Sequence, residues 1–268
     1  MPRLLLSLFV ALILNLALPG AQAADIPYLE LPLAELKRIA TQGDPLAQFY
    51  LGVRYDLTKK DHKQAATWYR KAAEQGDAGA QVLLGVMYAN GRGVPQDYKQ
   101  AVAWYRKAAE QGNDDAQKNL GSLYAGGRGV PQDDKQAAAW FRKAAAQGHA
   151  DAQTLLGIMY TLGQGVPQDY KQAVAWYRKA AEQGGDVAQK RLGVMYDNGW
   201  GVPRDPVLAY MLYNLAATGG DDKASGKRAA LINNLSPQQI EEGQALTAKW
   251  KVGTPLPLTS KTGDKAAK

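Results

Sequence analysis

The 268-residue chain contains two histidines and no cysteine, so few side chains are available for chemistry. Without thiols it can form no disulfide, thiolate metal site or cysteine nucleophile. A metal bound by His62 or His149 would need further histidine or cysteine ligands, and the chain has none to offer. Both histidines therefore read as solvated surface residues. The neighbouring carboxylates Asp114 and Asp115, and Asp133 and Asp134, fall at predicted helix starts, where capping and the helix dipole account for them better than acid–base catalysis does. Gly226 and Lys227 look like the end of a phosphate loop. However, Asp221 stands where the first glycine of G-x-x-x-x-G-K-[ST] belongs, and Arg228 follows the lysine. These residues predict no catalytic centre, no metal and no cofactor.

The formal charge of +7 invites a nucleic-acid reading until it is located. Residues 24–222 hold 23 basic and 22 acidic side chains, whereas residues 223–268 hold eight and three. The body of the protein offers no net field to a phosphate backbone, and nucleic acid is not an expected partner. At the other end, Arg3 precedes an apolar run from Leu4 to Leu18, then Pro19, Gly20 and the small-x-small sequence Ala21, Gln22, Ala23. This pattern predicts a signal peptide over 1–23, cleaved after Ala23, and a periplasmic or secreted mature protein. The run is shorter than the roughly 20 residues that span a bilayer, so no membrane span is expected.

What must position any functional side chain is a repeat. The phrase W-[YF]-R-K-A-A-x-Q-G starts at Trp68, Trp104, Trp140 and Trp176, with a constant spacing of 36. Its companion A-Q-x-x-L-G-x-x-Y starts at Ala47, Ala80, Ala116, Ala152 and Ala188. The first interval of that series is 33, because the turn near Leu57 lacks the G-x-G-V-P insert found at Gly91, Gly127, Gly163 and Gly199. A fifth unit runs on through Leu212 and Tyr213, with leucine where tryptophan stood before. Periods of this size signify stacked helical hairpins.

Each helix carries its own punctuation. Asp61, Asp97, Asp133 and Asp169 are placed as N-caps, with Gln64, Gln100, Gln136 and Gln172 three positions on, the spacing of a capping box. Gly76, Gly112, Gly148 and Gly184 are placed to end the same helices, which run about 14 residues. Glycine inside a helix costs about 1 kcal/mol against alanine, so Gly52, Gly85, Gly121, Gly157 and Gly193 predict close approach of a partner helix, and the repeated tryptophans read as core. A single hairpin buries too little to stand alone, so the stack needs capping pieces. Residues 24–43, with a helix from Leu33 to Gln42, suit one end. Residues 220–251, with helices over Lys223 to Leu235 and Ser236 to Lys251, suit the other. The basic segment 252–268 reads as a disordered tail.

Over residues 44–219 these motifs resemble the Sel-one-like repeat family, relatives of the tetratricopeptide repeats: A-x-x-x-L-G-x-x-Y, then G-x-G-V-x-x-D, then K-A-x-x-W-[YF]-x-K-A-A. The resemblance implies an all-α, right-handed superhelical solenoid of about five 36-residue helix-turn-helix repeats with helical caps. It also implies a non-enzymatic adaptor for other proteins or peptides, in bacteria often in cell-envelope assembly or signalling. Some members have been described as binding or hydrolysing β-lactams, which makes a β-lactam or cell-wall peptide hydrolase an alternative reading. Lys261, Thr262 and Gly263 do spell K-T-G, yet no serine has a lysine three residues later. A third reading is an envelope scaffold acting through the basic tail.

By analogy with tetratricopeptide solenoids, the first helix of each hairpin lines a concave groove, and the positions two before, one before and two after each L-G pair face the ligand. The residues at this register are Phe49, Tyr50 and Val53; Val82, Leu83 and Val86; Lys118, Asn119 and Ser122; Thr154, Leu155 and Ile158; Lys190, Arg191 and Val194. An apolar stretch followed by cationic and amide groups suits an extended peptide whose carboxylates meet the lysines or Arg191. Trp200 replaces the Arg92, Arg128 and Gln164 of the other loops and is a further candidate contact.

Overall fold

The computed structural model describes residues 26–58 and 60–262. The expected signal segment 1–23 and the last residues of the tail lie outside them. The chain forms two compact units, Met1–Gln132 and Asp133–Lys268. The described residues of both are helical, with no strand among them. In the first unit, α1 (Ile26–Glu30) and α2 (Leu33–Thr41) precede α3 (Pro45–Leu57), α4 (His62–Glu74), α5 (Ala78–Asn90), α6 (Tyr98–Glu110) and α7 (Asp114–Gly126). The second unit contains α8 (Asp134–Ala146), α9 (Ala150–Leu162), α10 (Tyr170–Glu182), α11 (Asp186–Asn198), α12 (Pro206–Thr218), α13 (Asp222–Ile232) and α14 (Pro237–Lys249).

The capping chemistry sets these boundaries. Asp61, Asp97, Asp133, Asp169 and Asp205 each accept from backbone amides in the first turn of the helix they open. At the first four of these the glutamine three positions on does not complete the reciprocal bond of a capping box. Among the described residues that bond forms at Ser236, whose partner Gln239 reaches back to the Ser236 amide at 2.9 Å. The predicted 14-residue second helices run 13 residues and end on glycines of positive φ such as Gly76 and Gly112.

Packing within a hairpin depends on the helical glycines. A Cβ on Gly85 would lie 2.6 Å from the Tyr105 ring, and one on Gly157 the same distance from Tyr177. The tyrosine of the second helix lies flat on the first, as the expected close approach requires. The glutamines of the repeat join successive hairpins. Gln81 Nε2 donates to the Ala73 carbonyl (3.1 Å) from a buried position, and Gln111 Nε2 donates to Gln81 Oε1 (2.8 Å). Gln153 and Gln183 repeat this latch in the second unit, at 3.1 and 2.9 Å. Each buried amide is thereby satisfied, so the polar cost of burying it is met within the stack.

The tryptophans divide. Trp68 and Trp104 are buried, whereas Trp140 and Trp176 are half-exposed. Each carries a lysine ammonium from three positions on over its ring, at 4.1 to 4.4 Å from the centroid.

The tail departs from the sequence reading. Residues 252–262, expected to be disordered, lie along the second unit. Leu256 is buried among Arg178, Tyr196, Leu208, Met211 and Leu212. Leu212 stands at the tryptophan register, and Leu256 packs beside this smaller residue. Arg178 Nη1 donates to the Leu256 and Pro257 carbonyls at 3.0 and 3.3 Å, and Glu182 Oε1 accepts from the Leu256 amide at 3.0 Å. Further on, Asp205 accepts from the amide and hydroxyl of Ser260, both at 2.8 Å.

Candidate functional site

The groove register divides by burial. Phe49 and Tyr50 are buried, because Tyr28 of α1 stacks on Tyr50 with ring centroids 5.9 Å apart and Phe49 meets the same ring edge-on at 5.1 Å. Val82 is buried as well. These three were expected to face a ligand, but the structure makes them core, and at Tyr50 the N-terminal helix supplies the covering ring.

Val86, Asn119 and Ser122 are brought together. They border a cavity of about 320 Å³ in the first unit, whose other walls are Ala89 and Asn90 of α5, Tyr98 and Tyr105 of α6, Leu123 of α7 and Arg128 of the following loop. The Arg128 guanidinium lies over the Tyr98 ring, 5.7 Å from its centroid. Lys118 Nζ donates to Asn119 Oδ1 at 3.0 Å, and the Ser122 hydroxyl donates to the Lys118 carbonyl at 3.1 Å. Tyr105 is only 4% exposed. Burial, assisted by the nearby Asp115 charge, pushes its phenol well above the usual range, so it remains a donor.

The second unit treats the same register differently. Thr154 Oγ1 donates to the Ala150 carbonyl at 3.0 Å, and Ile158 and Val194 pack partly buried on the core. Lys190, expected to meet a ligand carboxylate, pairs instead with Asp221, the N-cap of α13. Burial works against that carboxylate, yet bonds from Lys190 and the Ala224 amide hold it below its ordinary range. Arg191 is exposed. Trp200 is 41% exposed and stacks on Tyr170 with centroids 5.5 Å apart.

The histidines are less idle than expected. His62 Nδ1 lies 2.7 Å from Asp56 Oδ1, and Arg92 donates to the same carboxylate oxygen at 2.5 Å. His149 caps α9, accepting from the Ala152 amide at 3.4 Å. Among the described residues no cluster of His, Asp and Glu is arranged to hold a metal ion, and no helix is long and apolar enough to cross a membrane. Of the K-T-G tripeptide, Lys261 and Thr262 donate their amides to Glu242, at 2.6 and 3.1 Å, and Thr262 adds its hydroxyl. Gly263 lies outside the described residues.

Sequence reasoning found three of the cavity's residues and missed Tyr98, Tyr105 and Arg128. The available signal was the arginine of the G-R-G-V-P loop, which is Gln164 and Trp200 in later repeats.

Fold and site together define a helical-hairpin repeat protein with a ligand-sized recess between repeats. The chain belongs to the Sel1 repeat family, matched at residues 45–77, 78–113, 114–149, 150–185 and 186–221. This is a family generally of protein–protein interaction scaffolds. It is similar to c5321, a protective antigen of uropathogenic Escherichia coli strains displaying an SLR fold, with 45% identity and a TM-score of 0.73 over 75% of this chain and 44% of that one. It is also similar to a Sel1 repeat protein from Oxalobacter formigenes, with 36% identity and a TM-score of 0.68 over 78% of this chain and 64% of the other. The match thus spans less than two thirds of either protein's length. No curated protein matches the chain significantly.

Proposed function

We propose that the protein is an exported adaptor that binds a protein or peptide partner on the face of its first repeat helices, in cell-envelope assembly or signalling. The observation that carries this reading is the cavity of about 320 Å³ bordered by Val86, Asn119 and Ser122. A framework repeated almost unchanged leaves this register free to vary, and here the variable side chains open a recess at the lower end of ligand-pocket sizes. Membership of a family of interaction scaffolds supports binding over turnover. Export rests on the sequence of residues 1–23, which also supports a periplasmic or secreted location.

The test is site-specific photocrosslinking in the native envelope, with the photoreactive residue at Ser122 and a control at the exposed Thr67. A defined partner captured from Ser122, absent from Thr67 and lost when Arg128 is changed to Gln supports the adaptor. Equal capture from both positions, or capture indifferent to Arg128, overturns the assignment of this face. Capture abolished by deleting 252–268 but unaffected by Arg128→Gln would move binding to the basic tail.

A further inference from the structure

In the second unit, residues 252–262 lie in a groove as a peptide ligand would. The groove runs between the second helices α10 and α12, over Leu192 and Tyr196 of α11, and receives Leu256. Leu256 is the one buried residue of this strap, whereas Val252 and Leu258 are 67% and 74% exposed. The rest of the hold falls largely on the main chain. Arg178 donates to the carbonyls of Leu256 and Pro257, the Glu182 carboxylate accepts from the Leu256 amide, and the Glu182 carbonyl accepts from the Gly253 amide at 2.7 Å. Such contacts fit any extended segment that sets a bulky aliphatic side chain at the same point. Pro255 and Pro257 flank Leu256, and proline keeps a segment extended before it docks, which lowers the ordering cost.

Earlier repeats show how a permanent closure is made. Arg70, Arg106 and Arg142 donate to the hydroxyls of Tyr88, Tyr124 and Tyr160, at 2.8, 2.8 and 3.2 Å, as Arg178 does to Tyr196. At the Leu212 register, however, these repeats carry Trp104, Trp140 and Trp176. A tryptophan there is fixed by its own helix. The last groove has leucine and takes its closing side chain from a tethered segment, which another segment of the same chemistry can replace. Charge sets the direction of that chemistry. Past Leu256, Asp205 accepts from Ser260, and Glu242 from Lys261 and Thr262. These carboxylates favour hydroxyl and basic groups on the carboxyl-terminal side of the leucine.

We propose that the groove between α10 and α12 docks an extended segment of another protein, with an aliphatic residue before proline and hydroxyl and basic side chains a few residues on, and that residues 252–262 compete with that segment. This surface belongs to the second unit and the recess at Ser122 to the first, so neither assignment depends on the other.

Fluorescence anisotropy of a labelled peptide with the sequence of residues 250–262, added to full-length protein, tests the proposal. A tethered competitor acts at an effective concentration near the millimolar range. A full-length variant carrying Leu256→Ala should therefore bind the peptide at least about tenfold more tightly than the native chain. The peptide should also raise that variant's melting temperature. Within the variant, Arg178→Gln should weaken binding about tenfold, and Leu212→Trp, which rebuilds the closure of the other repeats, should abolish it. If Leu256→Ala fails to fold, Ser260→Ala, which removes only the bonds of that side chain to Asp205, gives the same comparison with a ratio of about threefold. Equal binding by native and variant chains, binding indifferent to Arg178→Gln and Leu212→Trp, or no binding by either chain would overturn the proposal. So would a random peptide array on which the variant selects sequences lacking an aliphatic residue before proline.

Discussion

At one register the two units are built from the same framework with opposite results. In the first, Arg128 covers Tyr98, Ala89 stands near Tyr105, and a cavity of about 320 Å³ remains between α5 and α7. In the second, Trp200 stacks on Tyr170, Thr161 and Asp197 reach the buried tyrosines, and Lys190 is held by Asp221. The helices, caps and glycine contacts hardly differ. A repeat can thus hold its packing residues constant and still decide, through two or three variable positions, whether a recess is open or its polar groups are already satisfied.

The largest test concerns what the units share. Gly85→Leu in the first and Gly157→Leu in the second should each cost about 3 kcal/mol, because the Cβ alone would sit 2.6 Å from a tyrosine ring. Thermal melting of the two variants should agree closely. A wide gap between them would mean the framework is not equivalent after all.

The next test separates the units. Leu256→Ala should destabilise the second by about 2 kcal/mol through the space left beside Leu212. Amide exchange should quicken in α10 to α12 and stay unchanged in α5 and α6. Uniform quickening would contradict an independent effect on the second unit.

Acid should release the same segment more gently. Burial alone would raise the Glu242 carboxyl, but bonds from the Thr262 hydroxyl and from the amides of Lys261 and Thr262 hold it below its ordinary range. A lowered carboxyl contributes stability that is complete above the unfolded value, about 4.3, and is lost as pH falls through the folded one. Protection of the Lys261 and Thr262 amides should therefore hold at pH 7 and fade below about pH 4, and Glu242→Gln should remove this dependence.

The smallest effect should come from exchanging the walls. Arg128→Trp should stack on Tyr98 as Trp200 does on Tyr170, changing stability by less than about 1 kcal/mol while closing the cavity. A crystal structure of the variant with the recess still open would show that the residue covering the ring is not what distinguishes the units.

Most of the fold was legible because its signals are local. Asp97 caps the helix it begins, Gly112 ends the helix it follows, and the glycine of each L-G pair announces a close contact within its own hairpin. The glutamines were harder to interpret. Gln81 and Gln111 repeat as regularly as the tryptophans, yet their purpose is a bond between residues 30 apart. The candidate site was half legible. Val86, Asn119 and Ser122 followed from the register, whereas Tyr50 was lost to the core under Tyr28, and Phe49 against Tyr50 and Tyr69.

Periodicity and punctuation alone thus determined the helices, their ends, the number of hairpins and the family, since each depends on neighbours a few residues away. Tertiary structure decided which groove positions are buried, which of them border a recess, and that residues 252–262 pack on the second unit beside a leucine at the tryptophan register. Those outcomes depend on volumes and hydrogen-bond partners contributed by distant segments, and a repeat pattern carries no record of which segment will supply them.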